Sequence, residues 1–358
     1  MSMSPDVTVV GAGVIGLATA VAAARRGLRV MVVGDQRPGE ASSAAAGMLA
    51  PSVERSVGPA HDFAVAARDL YPSYVEYVAD QTGIRVPLNR LGILQVALTE
   101  AGVKGLPRSA LPGTEWLDRR TLNEIEPTLG HAMGAMMNPE DGAVDNVTLM
   151  RALAAMADAS PLITRIEGTV TRVRHDAAGH PAIELDGGRG HESATVVIAG
   201  GAWASLIEGL SLLGSVTPAR GQLIAFDSIG LRHVVYGPRG YLVPRVHLQT
   251  IGGSTMENVG FDATTTEEGL ARVRSASEEI APALSVTRVQ ASWAGLRPVT
   301  PDLLPLIGPD PKYAGIIYAC GHSRNGILLA PLTGEVVAAI AAGESPEHDL
   351  SQFRPDRF

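Results

Sequence analysis

The chain has 358 residues, 46% hydrophobic and 18% charged, an ordinary composition for a soluble globular protein and enough for two domains or one large α/β unit. Its 29 Lys and Arg stand against 37 Asp and Glu for a net charge of −8, and the cations are few and scattered, which argues against nucleic-acid binding. The single cysteine, Cys320, excludes an internal disulfide and offers no zinc spacing, so a reducing, cytoplasmic setting is expected.

The first apolar run does not read as a signal peptide, because Asp6 precedes it and no basic stretch leads it. In DVTVVGAGVIGLATAVAAARRGLRVMVVGD (6–35), Val7, Val9 and Val10 form a short β-branched strand, and Gly11, Gly13 and Gly16 follow at G-x-G-x-x-G spacing. An Ala-rich helix is predicted over 14–26, ended by Gly27, with a second strand over 29–33. Gly11 serves the tight turn, Gly13 the approach of a pyrophosphate, and Gly16 the packing of helix on strand. Val14 and Ile15 open the helix, whose unpaired N–H groups and dipole suit phosphate. One position departs from the pattern. Where an acidic ribose ligand belongs, the chain has Gly34 and then Asp35, so the ribose falls to Asp35 or to backbone.

Residues 36–41 form a polar turn. Ser42, Ser43, Ala44, Ala45, Ala46, Gly47, Met48 and Leu49 follow, a row of small side chains that permits close approach to a flat partner or, equally, a tightly packed helix. The link over 50–60 is rich in Pro, Gly and Ser and is expected to be mobile. A helix is predicted over 61–81 with Pro72 as a kink, then a strand (92–98), a short connector (99–113) and helices over 119–126 and 146–159. Strands follow over 169–173, 181–187 and 194–201, the last running as a buried parallel strand into Gly200, Gly201, Ala202 and Trp203. From 216 to 254 the runs GQLIAF, HVVYG, YLVPR and LQTIGG read as an antiparallel sheet in a separate layer. An acid-rich helix (264–280), strands at 289–296, 303–307 and 315–320, and a helix over 326–342 complete the chain. Pro331 and Glu335 break that last apolar run, so it reads as a buried helix rather than a membrane span. This order fits an α/β nucleotide domain interleaved with a substrate domain.

Candidate chemistry clusters in the last third. In WAGLRP (293–298), Arg297 ends an apolar strand before a proline, where its planar fork requires an anionic partner: a substrate carboxylate or a structural acid. Gly321, His322, Ser323, Arg324, Asn325 and Gly326 form a glycine-flanked polar turn before the last helix, suited to holding negative charge on a cofactor edge. His322 has no partner at metal-ligand or triad spacing, and Tyr241 and Met256 are unremarkable in isolation.

Together, VVGAGVIG, SAAAGML, YLVPR, WAGLRP and GHSRNGILLAP, in that order, resemble the FAD-dependent D-amino acid oxidase superfamily, and within it the glycine oxidase branch, the ThiO type of thiamin biosynthesis. The resemblance runs over nearly the whole chain. It implies a Rossmann-type FAD-binding domain (1–80, 140–215 and 296–358) interleaved with a substrate-binding domain (81–139 and 216–295) built on a mixed, largely antiparallel sheet.

The resemblance also implies roles. Arg297 grips the substrate carboxylate with the Tyr241 hydroxyl as second donor, and the main-chain carbonyl of Arg324 accepts from the amine. Met256 and Met48 line the substrate pocket, and Glu54 lies in a mobile lid. Ser42, Ser43 and Ala46 to Leu49 lie along the cofactor, with Val173, Gly200, Gly201 and Trp203 on the same groove. The turn Gly321, His322, Arg324, Asn325, Gly326, Ile327 and Leu328 stabilises the reduced flavin. Gly295 stands where related monomeric sarcosine oxidases attach flavin to cysteine, so FAD is expected to be non-covalent; no metal is implied.

The activity implied is that of an oxidoreductase acting on CH–NH2 or CH–NH groups with oxygen as acceptor. Glycine or an N-substituted glycine passes a hydride to flavin N5, the imine hydrolyses to glyoxylate plus ammonia or amine, and oxygen becomes hydrogen peroxide. The short 99–113 connector, where these enzymes carry a longer segment, favours an opened pocket and a bulkier N-substituent. A D-amino acid oxidase or dehydrogenase is the alternative, and a flavin-binding protein without turnover is the alternative of another class. Homotetramers are common in the family.

Overall fold

The computed structural model describes residues 4–54, 56–175, 179–212 and 214–358. Arg55, in the link expected to be mobile, lies outside them. A six-stranded sheet is ordered Leu306–Pro309, Ile316–Cys320, Thr195–Ile198, Val7–Val10, Val30–Gly34, Ile163–Glu167. All neighbours are parallel except the Leu306–Pro309 edge. Its strands are valine- and isoleucine-rich because both faces are covered. Val7, Val9, Val30, Val32 and Val197 pack against helices Val14–Arg25, Pro59–Thr82, Asn146–Ala159 and Gly326–Ala341. Val10, Val33, Val196 and Ile198 face the other way, into a core shared with an antiparallel sheet of Val170–His175, Pro181–Leu185 and Gly190–Glu192.

Local signals explain the helix ends. The Asp145 carboxylate accepts from Thr148 N–H at 2.8 Å and starts the Asn146–Ala159 helix. Pro59 opens its helix and Gly83, at φ +72°, closes it, while Pro72 lies inside without ending it. At the opening turn Gly11 has φ +114°, and a Cβ on Gly16 would stand 1.9 Å from the Gly11 carbonyl oxygen, so the strand–helix corner closes only without that side chain.

The second large sheet has eight strands ordered Val289–Val299, Thr217–Asp227, Gln249–Gly253, Tyr241–Arg245, Val234–Tyr236, Ile93–Ala97, Gly134–Asn138, Glu115–Asp118. It is antiparallel apart from the pairing of Val234–Tyr236 with Ile93–Ala97, the mixed, largely antiparallel sheet expected. Strand alternation gives it two apolar faces. Leu94, Ile224, Phe226, Val235 and Leu242 pack under helix Glu267–Ile280, whereas Ile93, Leu223, Ala225, Val234 and Val243 meet Ala46, Ala50 and Val53.

The stretch 99–113 carries a Thr99-capped helix, Glu100–Arg108, and none of it lines the large cavity described below. The Ile163–Glu167 strand escaped the sequence pattern because TRIE is mostly exposed at a sheet edge, with apolar alternation too short to register.

Arg245 clasps the two large sheets' neighbourhoods together. Its guanidinium donates to the Ala46 carbonyl (2.9 Å), the Val144 carbonyl (3.0 Å), Asn146 Oδ1 (2.5 Å) and Asp145 Oδ2 (3.2 Å). Burial pulls its pKa down from the usual arginine value, and the Asp145 carboxylate opposes that. We expect Arg245→Met to leave Asp145 and two carbonyls without their donor and to cost about 3–5 kcal/mol. The urea midpoint checks this, and Arg245→Lys, which keeps the charge but loses the fork, should recover only part.

Candidate active site

A cavity of about 620 Å³ runs between the two large sheets, a size suited to a bound organic group. At one end it is walled by the glycine turn: Gly11, Gly13, Val14 and Ile15. Val14 N–H donates to Ser42 Oγ at 3.0 Å, which ties the small-residue segment to the helix start. Gly16 sits behind this wall, packed on Gly11. Gly34 is forced by contact: a Cβ there would stand 2.8 Å from both the nitrogen and Cβ of Ala12. Asp35 therefore takes the first side-chain position on the cavity after this strand. Beside it Arg37 donates to Thr169 Oγ1 (2.7 Å) and lies 5.4 Å over the Trp203 ring, whose other neighbour is Phe261 at 6.1 Å.

Ala44, Ala45, Ala46, Gly47 and Met48 form one middle wall; Gly200, Gly201 and Trp203 form another. Ser42 also lines the cavity, but Ser43 points outward and Leu49 and Leu328 belong to the helix-side core. Val173 is corrected too: its N–H donates to the Glu208 carbonyl and its side chain is buried in the second core. Its strand turns only Val170 and Thr171 to the cavity. Val170 shares that core, but a bulge between Val170 and Arg172 interrupts the strand and only its first two residues reach the cavity wall.

The turn Gly321, His322, Ser323, Arg324, Asn325, Gly326 and the helix start Ile327 all line the cavity. Ser323 N–H donates to the Pro298 carbonyl at 2.8 Å, docking the turn on the Arg297 strand. The Tyr71 hydroxyl donates to the Ile327 carbonyl. His322 is buried with Nε2 3.2 Å from Thr333 Oγ1, and burial pulls its pKa down to about 3, so the ring is neutral at physiological pH. Cys320 is buried, its thiol pushed up to about 12 by desolvation.

At the far end stand Tyr241, Met256, Arg297, Arg324, Met48 and Glu54. Arg297 has no carboxylate partner among the described residues; Nη1 donates to the Thr255 carbonyl (3.0 Å) and Nη2 to Ser254 Oγ (2.6 Å). A Cβ on Gly221 would stand 2.0 Å from Arg297 Nη1, so the guanidinium lies on bare backbone. Tyr241 stacks on Tyr236 at 6.4 Å. Arg324 Nη2 pairs with Glu54 Oε2 at 2.5 Å. Desolvation raises the Glu54 pKa, with Arg324 and then Arg297 acting against it. Sequence reasoning missed Arg37, Thr169, Gly221, Tyr236 and Ser254, because each is a common residue in an ordinary strand or turn and only tertiary contact gives it meaning.

Glu54 is held from behind. The buried Asp141 carboxylate accepts from Ser52 N–H (3.2 Å), Ser52 Oγ (3.1 Å) and Arg68 Nη1 (3.1 Å), fixing the short helix Pro51–Glu54.

A glycine-rich strand–turn–helix at one end of a cavity, with an arginine bonded only to neutral acceptors at the other, is the arrangement of a nucleotide-cofactor protein. The chain belongs to the FAD dependent oxidoreductase family, which matches residues 6–340. It is 35% identical to glycine oxidase of Geobacillus kaustophilus, over 97% of this chain and 96% of that protein. The crystal structure of glycine oxidase from that organism matches with a TM-score of 0.89 at 34% identity, covering 99% of each chain. The bifunctional ThiO/ThiG protein of Trichormus variabilis is 32% identical over 99% of this chain, which spans 55% of that protein's length. Iminodiacetate oxidase from Chelativorans sp. BNC1 matches with a TM-score of 0.89 at 25% identity, covering 98% of each chain.

FAD is the family's cofactor, and the cavity fits it. A Cβ at Gly11 would stand 2.3 Å from the Ala199 carbonyl oxygen, and Ala44 to Gly47 present nothing larger than a methyl group, so a flat group can lie close along that stretch.

Burial pushes the Asp141 carboxyl up to about 6. The folded state therefore holds a proton that the unfolded chain releases near pH 4, and this group's contribution to stability falls as pH rises from about 4 through 6. Thermal melts of wild type and Asp141→Asn across that range should diverge in this sense; parallel curves would contradict it.

Proposed function

We propose that the chain is an amine oxidase of the glycine oxidase type, acting on glycine or an N-carboxymethyl amine and releasing glyoxylate plus ammonia or the free amine. One observation carries this: Arg297, in the cavity, is bonded only to neutral acceptors, so its charge awaits a carboxylate. The buried Arg220, by contrast, is paired with Glu257 and Asp262.

Bound FAD would supply the two-electron acceptor for the hydrogen on the substrate Cα and pass the electrons to dioxygen as hydrogen peroxide. The protein's own part is orientation. Arg297 and the Tyr241 hydroxyl fix the carboxylate, and the Arg324 carbonyl accepts from the amine. The Glu54–Arg324 pair holds that turn, and His322, neutral, adds no charge beside the ring. Gly295 offers no thiol, which supports non-covalent FAD. The six-stranded sheet then belongs to a cofactor-binding unit and the eight-stranded sheet to a substrate unit, with oligomerisation and a cytoplasmic location following the glycine oxidase type. No helix among the described residues is long and apolar enough to cross a membrane.

The test is anaerobic bleaching of the flavin band by glycine, sarcosine, a long-chain N-carboxymethyl amine and D-alanine. Bleaching by one of the first three ahead of D-alanine is expected; no bleaching by any carboxymethyl amine would overturn the proposal. Arg297→Ala should raise KM by roughly 10²–10³-fold with FAD retained, as loss of a charge-paired anchor does. Unchanged KM would remove Arg297 from the site.

A further inference from the structure

We infer that Ser254 is a third donor to the substrate carboxylate, beside Arg297 and Tyr241. This rests on the carboxylate reading of the cavity given above and names a residue which that reading does not include.

Ser254 follows the Gln249–Gly253 strand directly and lines the cavity. Its Oγ lies 2.6 Å from Arg297 Nη2. A guanidinium only donates, so the serine oxygen is the acceptor in that contact and its own hydrogen remains to be given elsewhere. No protein acceptor takes it among the described residues. The neighbouring Thr255 is different: its Oγ1 accepts from Gln222 N–H at 3.0 Å, and its hydroxyl also bonds to the Glu257 carboxylate.

The surrounding backbone brings the three donors to one place. Gly221 and Gly253 lie on adjacent antiparallel strands. A Cβ on Gly221 would stand 2.0 Å from Arg297 Nη1, and one on Gly253 would stand 2.4 Å from the Tyr241 hydroxyl oxygen. Both polar heads are therefore seated on bare backbone, and Ser254 is covalently next to one seat and hydrogen-bonded to the occupant of the other. An ionised carboxylate has lone pairs for more than two donors, and a hydroxyl already polarised by a guanidinium is a good donor to an anion. The cup thus reads a carboxylate with a cationic fork and two hydroxyls. A neutral amide in the same place would turn its own N–H groups toward this array of donors and be refused.

The experiment uses the FAD-loaded enzyme and acetate as the minimal carboxylate, with binding read from the shift it causes in the flavin absorption band. KM and kcat for the substrate identified by the bleaching assay are measured in parallel. Ser254→Ala is expected to weaken acetate binding about tenfold and raise KM by a similar factor, with kcat changed less than about threefold and FAD affinity unchanged. Ser254→Thr should restore binding, and Ser254→Val, of the same shape without the hydroxyl, should not. Acetate binding in Ser254→Ala or Ser254→Val equal to wild type would overturn the inference while leaving Arg297 in its role. Failure of acetate to bind the wild type would overturn the carboxylate reading itself, and this inference with it.

Discussion

The buried fork of Arg245 is the constraint on which the site's shape depends. The segment from Ala44 to Met48 has almost no side chains with which to hold itself, yet it must form a wall of a cavity between two sheets. A wall of alanines gains little from apolar burial, since each contributes a single methyl group. Backbone hydrogen bonds and one buried cation do the holding instead. Arg245 takes the Ala46 carbonyl with one arm and reaches Val144, Asp145 and Asn146, at the start of the next helix, with both. The position of Gly47 follows from the same closeness, because a Cβ there would stand 2.0 Å from the Val144 carbonyl oxygen. The small residues free the space and the arginine fixes where that space lies.

Arg245 and Arg297 make a controlled comparison inside one protein. Both stand on strands of the eight-stranded sheet, both are half-buried, and both donate to main-chain carbonyls. Arg245 has an acid, Asp145, bonded to it; Arg297 is bonded to a carbonyl and a hydroxyl, with Glu54 acting on it only at longer range. Neutral acceptors orient a guanidinium but do not cancel its charge, and uncompensated charge in a low-dielectric cavity is expensive. On the proposed reading, the fold would tolerate that cost at Arg297 because an anion from solution would meet it in the cavity. This difference in partners separates an arginine that builds the cavity from one that serves it.

The sequence made much of the fold legible, and physical reasons mark where it did not. The opening strand–turn–helix and the closing strand–turn–helix announced themselves because parallel strands buried on both faces are continuously apolar and their turns need glycine. The eight-stranded sheet was visible as alternating runs. Edge elements were not: Ile163–Glu167 is exposed along much of its length, and the helix over Glu100–Arg108 buries no residue, so neither leaves a strong apolar pattern. In the site, Arg297 and Arg324 could be picked out because charge beside glycine and proline turns is unusual. Ser254, Tyr236 and Arg37 could not, since a serine, a tyrosine or a turn arginine gains significance only from what folding sets against it. Val173 shows the converse error, a residue on the right strand but beyond the bulge that separates it from the two positions lining the cavity.

The far end of the cavity orients its ligand without titrating it. His322 is held neutral by burial, with Thr333 as its only side-chain neighbour of note. Glu54 is committed to Arg324, and the closer the two lie the less available either becomes to take or give a proton. Burial also raises the Tyr236 pKa, with the Glu54 charge adding to it, so that phenol stays protonated. The guanidiniums of Arg297 and Arg324 and the carboxylate of Glu54 give that end of the cavity one surplus positive charge, which on the proposed reading a substrate carboxylate would neutralise. On that reading an ammonium group entering with the carboxylate would restore the surplus, so the charge balance would favour the amine in its neutral form, with the Arg324 carbonyl to accept its N–H. The selection of protonation state would then fall to the charge balance of the walls, and no residue would have to act as the base.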